Sequence, residues 1–214
     1  MKKIVIIGAG QFGSRHLQGI LKLPFKAEIK VVDPSENSLN RAMQRSKEVD
    51  DVNDEISVEY FLSMPKIKDL DLAIIATTSS ERKKAILELL EINNPKCVLL
   101  EKVVFQNLND FESIISILNE KKIKSWVNCP NRIYKSYINL KNNLIDQSKI
   151  QMEIYGGNWG LASNLVHYLD LFTFLTNCDD LKIFKSFIDD KIYPSKREGF
   201  IELGGTIFVM SARK

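Results

Sequence analysis

From Ile4 to about Trp126, short runs of buried-strand type alternate with amphipathic stretches. The first run, Ile4 to Ile7, is four consecutive apolar residues and reads as a strand covered on both faces. It breaks into Gly8-Ala9-Gly10-Gln11-Phe12-Gly13, after which Phe12, Leu17, Ile20 and Leu21 form a helical apolar stripe that Pro24 ends. Glu28 to Asp33 is a second strand, Leu39 to Asp54 a mostly polar exposed helix, and Ile56 to Phe61 a short third strand. Leu70 to Thr77 reads as a buried strand, and the helix after it carries Ala85, Ile86, Leu89 and Leu90 on one face until Asn93-Asn94-Pro95 stops it. Cys97 to Leu100 is another buried strand. Asn109, with Glu112 three residues on, opens a helix whose apolar face is Phe111, Ile114, Ile115 and Leu118. Strand and helix, which keep alternating along this stretch, predict an α/β domain with a doubly wound parallel sheet over residues 1–125.

The pattern changes after Val127. Asn128 to Arg132 reads as a crossover loop, Tyr134 to Ile145 as a helix, Lys149 to Tyr155 as a strand, and Gly156 to Gly160 as a glycine-rich entry to a further helix. On that helix, Leu161 to Leu175, the spacing puts Ser163, His167 and Asp170 on one face and Leu161, Leu165, Leu169, Phe172 and Leu175 on a broad apolar side. Strands follow at Leu181 to Ile188 and Phe200 to Val209. Residues 126–214 are thus expected to form an incomplete α+β domain with a mainly antiparallel open sheet.

Composition excludes more than it selects. With 44% apolar and 27% charged residues in 214, the chain belongs with folded globular proteins and not with disordered ones. Its net charge of +3 is spread along the chain, so no basic block argues for nucleic acid. Cys97, Cys129 and Cys178 are an odd number without CxxC spacing, which suits reduced thiols in the cytoplasm and argues against both a disulfide frame and a metal site. Met1-Lys2-Lys3 resembles the start of a signal peptide, but the apolar run behind it is too short, and no run approaches membrane length.

Candidate chemistry gathers at strand ends. In a strand–glycine turn–helix unit, Gly8 permits the tight turn, Gly10 lets backbone approach a pyrophosphate, and Gly13 lets the helix sit against the strand, with Gln11 and Phe12 inside the turn. Asp33 follows Gly13 by twenty residues at the end of the second strand. A carboxylate there accepts from an adenosine ribose diol and repels a 2′-phosphate, so NAD is expected over NADP; the other reading of Asp33-Pro34-Ser35 is a plain turn. Thr77 lies in a run of small hydroxyl residues able to approach a cofactor closely, and Ser79 or Ser80 can equally cap the next helix. Glu101-Lys102 stands at the carboxyl end of the buried run Cys97 to Leu100. His167 is either a packed core histidine or, sharing its stripe with Asp170, a group for proton transfer.

GAGQFGSRH, the Ala-Thr strand end, Glu101-Lys102 after Val-Leu-Leu, and the helix ASNLVHYLDLF occur in that order. Through them the chain resembles the Gfo/Idh/MocA oxidoreductases, from Lys3 to about Thr206. The resemblance implies an N-terminal Rossmann domain for NAD(P), a C-terminal domain closing over a sugar or cyclitol, and hydride transfer at a carbinol. It puts Lys102 in the position of the lysine of the family's Glu-Lys-Pro motif and His167 in that of its helix histidine, with Asp170 supporting. Val103 stands where the family has proline, which makes a trans bond the default expectation. Ser163 and Leu165 replace the first aspartate and the glycine of the family's Asp-x-Gly-x-His-x-x-Asp. The second domain also stops short of the family's further strands, leaving a sheet edge and an apolar face for association with another copy. Two functions remain open: a dehydrogenase acting on a sugar-like substrate, and a nucleotide-binding protein that acts through association.

Overall fold

The computed structural model describes residues 1–145, 147, 149–157, 159–195 and 198–211. They divide into two compact units, Met1–Asn128 and Cys129–Lys214. In the first, six strands, β1 (Lys2–Ile7), β2 (Ala27–Val32), β3 (Ile56–Phe61), β4 (Leu72–Ile75), β5 (Cys97–Leu100) and β6 (Lys124–Val127), form one sheet in the order β3-β2-β1-β4-β5-β6. Every pairing is parallel. The doubly wound sheet expected from the alternation is therefore what forms.

Its core explains the apolar runs. Side chains alternate across a strand, so Ile4 and Ile6 of β1 pack with Leu17 and Ile20 of α1 (Gln11–Ile20) and with Leu39 and Ala42 of α2 (Glu36–Lys47). Val5 and Ile7 point the other way, onto Ala85, Ile86 and Leu89 of α3 (Arg82–Ile92) and Ile114 and Leu118 of α4 (Leu108–Glu120). With both faces covered, every inward and outward position of β1 beyond Lys3 must be apolar.

Several boundaries differ from expectation, each for a local reason. Helix α2 starts earlier, because the Ser35 hydroxyl caps it by accepting from the Ser38 N–H (3.3 Å), and it ends at Lys47. Neither Ser79 nor Ser80 caps α3; the Ser80 hydroxyl lies 3.0 Å from that of Thr78, and Glu81 stands at the cap without a side-chain bond. The cap of α4 is Asn107, not Asn109, its Oδ1 accepting from the Asp110 N–H at 2.9 Å. Of its expected apolar face, Ile114 and Leu118 are buried and Ile115 is exposed.

The second unit holds a 3-10 turn (Pro130–Ile133), α5 (Lys135–Asn143), α6 (Leu161–Thr176) and a long antiparallel hairpin, β7 (Leu181–Pro194) with β8 (Ile201–Ser211). Lys149 to Tyr155 is no strand. Its apolar residues alternate, but the described residues pair β7 only with β8, and a strand without a ladder partner leaves its backbone groups unsatisfied. The glycine-rich entry includes Asn158, which lies outside the described residues. Of the expected apolar side of α6, Leu161 and Leu175 are buried while Leu165, Leu169 and Phe172 are half-buried, and Leu171, outside that expected set, is buried too.

Candidate functional site

The strand order reverses between β1 and β4, and in open α/β sheets the crevice at the strands' carboxyl ends above that point is where ligands bind. The glycine turn lies there. Gly8 has φ +93°, and a Cβ on it would stand 2.9 Å from the carbonyl carbon of Ala76 and from the Thr77 nitrogen, so the turn runs directly against the end of β4. At Gly13 a Cβ would stand 1.7 Å from the Gly8 oxygen, so α1 backs onto the turn with no room for a side chain. No side chain caps the N-terminus of α1 at Gly10, and no acid lies in its first turn, which leaves the positive end of the helix for an anion.

Asp33 sits beside this turn. Its Oδ2 accepts from the Ala9 N–H at 2.7 Å and its Oδ1 from the Ser35 N–H at 2.9 Å, which holds the carboxylate at the end of β2 facing the glycines. Each oxygen keeps a second lone pair for a hydroxyl donor. The turn reading of Asp33-Pro34-Ser35 holds, and the turn is what orients the acid. From α2, Arg45 donates to the Ser14 hydroxyl and to Gln11 Oε1, both at 2.7 Å, tying the first turn of α1 down.

Across the crevice, the hydroxyl of Thr77 is buried and makes no hydrogen bond within the described residues. Beside it lies a residue that sequence reasoning missed. Arg82, at the start of α3 and only 2% exposed, donates to the carbonyls of Thr77, Val103 and Val104, the last at 2.8 Å. It therefore binds the loop after β4 to the loop after β5. Glu101, at the end of β5 and 4% exposed, accepts from the Asn128 amide at 2.7 Å and meets His16 Nε2 at 2.6 Å. Burial pushes the Glu101 carboxyl upward, but the hydrogen bonds from His16 and Asn128, with the charges of His16 and Arg82, hold it below its ordinary value. Lys102 follows, partly exposed, and the Lys102–Val103 peptide is cis where trans was expected for a non-proline bond.

The unit Met1–Asn128 thus gathers Gly8, Gly10, Gln11, Gly13, Asp33 and Thr77 at the ends of β1, β2 and β4, with Glu101 and Lys102 at the end of adjacent β5. Phe12 is in the turn but largely solvent-facing. On α6 of the other unit, Asp170 takes a fork from Arg132: Nε donates to both carboxylate oxygens at 2.8 Å, and a terminal nitrogen donates to the Thr173 hydroxyl at 2.9 Å. The Asp170 bond raises the Arg132 guanidinium above its ordinary value against the effect of burial. The Asn131 amide reaches the His167 carbonyl at 3.4 Å.

Residues 2–129 match the GFO_IDH_MocA model, described as an oxidoreductase family with an NAD-binding Rossmann fold. The chain belongs to this family. Solved structures are similar in fold: an oxidoreductase from Agrobacterium radiobacter in complex with NAD+, L-tartaric acid and magnesium is 15% identical over 86% of this chain and 58% of that one, with a TM-score of 0.62. The WlbA (WbpB) dehydrogenase from Thermus thermophilus in complex with NAD and UDP-GlcNAcA is 18% identical over 91% and 66%, with a TM-score of 0.59. A probable dehydrogenase from Thermotoga maritima is 14% identical over 91% and 60%, with a TM-score of 0.62. The chain therefore spans less than two thirds of the length of each of these. No curated protein matches it in sequence. The family's nucleotide fits the residues present: a glycine turn at the crevice, an uncapped helix N-terminus, a carboxylate fixed beside the turn and a buried hydroxyl without a partner among the described residues.

Proposed function

We propose that the chain is an NAD-dependent dehydrogenase or reductase acting on a CH–OH group of a sugar, sugar derivative or cyclitol. The observation that carries this reading is the cluster at the β1/β4 reversal, where the glycine turn, Asp33 and Thr77 meet next to the strand that delivers Glu101-Lys102. That similar folds hold UDP-GlcNAcA or L-tartaric acid beside NAD supports a hydroxyl-bearing substrate.

Bound NAD supplies the hydride acceptor or donor. Gly8, Gly10 and Gly13, with Gln11 and Phe12, cradle the pyrophosphate, Asp33 accepts from the ribose hydroxyls, and Thr77 and Glu101 line the crevice. The Lys102 ammonium orients the reacting oxygen and favours its alkoxide form, and His167 takes up or returns the hydroxyl proton, a task suited to a group that titrates near neutrality. Asp170 serves the site by holding Arg132. We assign nucleotide binding to residues 1–125, substrate and self-association to residues 126–214, and, from the three reduced cysteines, residence in the cytoplasm. No helix among the described residues is long and apolar enough to cross a membrane.

The test is NAD(H) turnover with a panel of sugars, nucleotide sugars and cyclitols. Turnover is expected with at least one class, and His167→Ala and Lys102→Ala should each lower it by about two to four orders of magnitude. NAD affinity should stay nearly unchanged in His167→Ala. Nucleotide binding without turnover on any of these would instead favour the second reading, a nucleotide-binding protein acting through association. The hairpin supports that reading, since it leaves Ile183, Phe184, Phe187, Ile201 and Met210 exposed.

A further inference from the structure

Helix α6 begins with an unusual anchor. Gly160, at φ +72°, precedes it, no side chain of its own caps it, and its first turn holds no acid. The carboxylate comes from elsewhere: Glu202 of β8, 39 residues away, accepts from the Ser163 N–H at 3.2 Å. It presses so closely on the helix entry that a Cβ at Gly160 would lie 2.9 Å from Glu202 Oε1. Residues 163 and 167 are one turn apart and share a face, so this anion stands at the N-terminal side of the His167 stripe.

Other charged groups described at α6 and along the hairpin have their own contacts. Asp170, on the helix itself, is paired with Arg132 of the 3-10 turn at 2.8 Å. Lys141 of α5 lies over the Phe174 ring, 4.2 Å from its centre. Across the hairpin, Tyr193, opposite Glu202, donates its hydroxyl to Asp189 at 3.1 Å. Among the described residues no cation forms an ion pair with Glu202, and its Oε1 carries acceptor capacity. We propose that Glu202 is the positioning residue of His167: a carboxylate, brought to α6 by the hairpin, that favours the protonated imidazole and so strengthens the histidine as a base. In the oxidation of a carbinol, for which bound NAD would supply the hydride acceptor, the hydroxyl proton would pass to the His167 ring, and the imidazolium so formed is what a nearby carboxylate stabilises. The inference rests on the dehydrogenase reading for its purpose, but not for its test.

The chain has two histidines, so ring-proton NMR on the full chain resolves His167 from His16, with His167→Ala as the assignment control. In Glu202→Gln, which keeps an oxygen to accept from Ser163, the His167 midpoint should fall by roughly 0.5–1 pH unit. Ser163→Asp in that background places a carboxylate on the same helix face and should restore it. In a turning-over enzyme the acidic limb of the kcat profile should follow the same shifts while NAD affinity holds. A midpoint that does not move in Glu202→Gln, or that Ser163→Asp does not restore, overturns Glu202's role whatever the activity. A midpoint that moves and recovers in a chain that oxidises no alcohol supports the pair and refutes the dehydrogenase reading alone.

Discussion

Replacing Arg82 with methionine tests whether the two loops of the nucleotide unit are held by one buried side chain. The guanidinium donates to three carbonyls, those of Thr77, Val103 and Val104, from a position 2% exposed. A hydrogen bond from a charged donor contributes about 1.5–3 kcal/mol, and a carbonyl left buried without a partner costs about 1–3 kcal/mol. Methionine fills most of the volume and buries apolar surface in return, and the three bonds are not additive. Carbonyls left buried without a donor, offset in part by that apolar surface, put the expected loss at about 2–4 kcal/mol, against a total stability of roughly 5–15 kcal/mol. Glu101 also loses one of the charges that keep it ionised. Urea unfolding, followed by Trp126 of β6 in a Trp159→Phe background, reads the nucleotide unit alone. The midpoint should fall with an unchanged slope, and NAD should bind more weakly because the loops carrying Thr77 and Lys102 are released. A loss below about 1 kcal/mol would refute the account, because it would mean that water replaces Arg82 without penalty and the site is not sealed as its burial implies.

Three further outcomes follow from the geometry. NAD(H) should bind more tightly than NADP(H), read by fluorescence titration, and Asp33→Ser should narrow the difference by removing the repulsion of a 2′-phosphate; equal binding in the parent chain would remove Asp33 from the ribose. Because Glu101 is held below its ordinary value of 4.5 in the folded chain, its contribution to stability is complete above that pH and is lost as the pH falls through the folded value, so Glu101→Gln should flatten the pH dependence of the urea midpoint below pH 4.5. Light scattering at micromolar concentration should find a self-associated species that Phe187→Lys with Ile183→Lys disperses; a monomer that binds no hydrophobic dye would show that the hairpin face needs no cover.

What the sequence made legible was local. The glycine turn, Asp33 and the apolar alternation of β1 are properties of adjacent residues, and they assemble as their spacing requires. Arg82, the His16–Glu101–Asn128 cluster and Glu202 were not legible, because, apart from Thr77, five residues before Arg82, their partners are 21 to 85 residues away and the chain's periodicity does not connect them. Arg82 left one trace, a basic residue at the start of an otherwise amphipathic helix, where the positive helix end ordinarily disfavours it; only three carbonyls facing it explain its place. The segment 149–155 misled for the complementary reason. Its alternation met the local condition for a strand, but a ladder is a property of two segments, and β7 and β8 pair with one another.

Among the three glycines that looked alike in sequence, the structure separates two kinds of demand. Gly8 and Gly13 are required by the protein itself: one has a positive φ, and at the other a Cβ would overlap the Gly8 oxygen at 1.7 Å. Gly10 has φ −66°, which any residue adopts, and a Cβ there would meet nothing within 4 Å. Folding alone gives no reason for glycine at that position. Under the proposed function its place has a reason outside the fold, because a residue without a side chain lets an anionic pyrophosphate approach the backbone at the positive end of α1. Gly8 and Gly13 then serve the fold, and Gly10 serves the ligand of the proposed function.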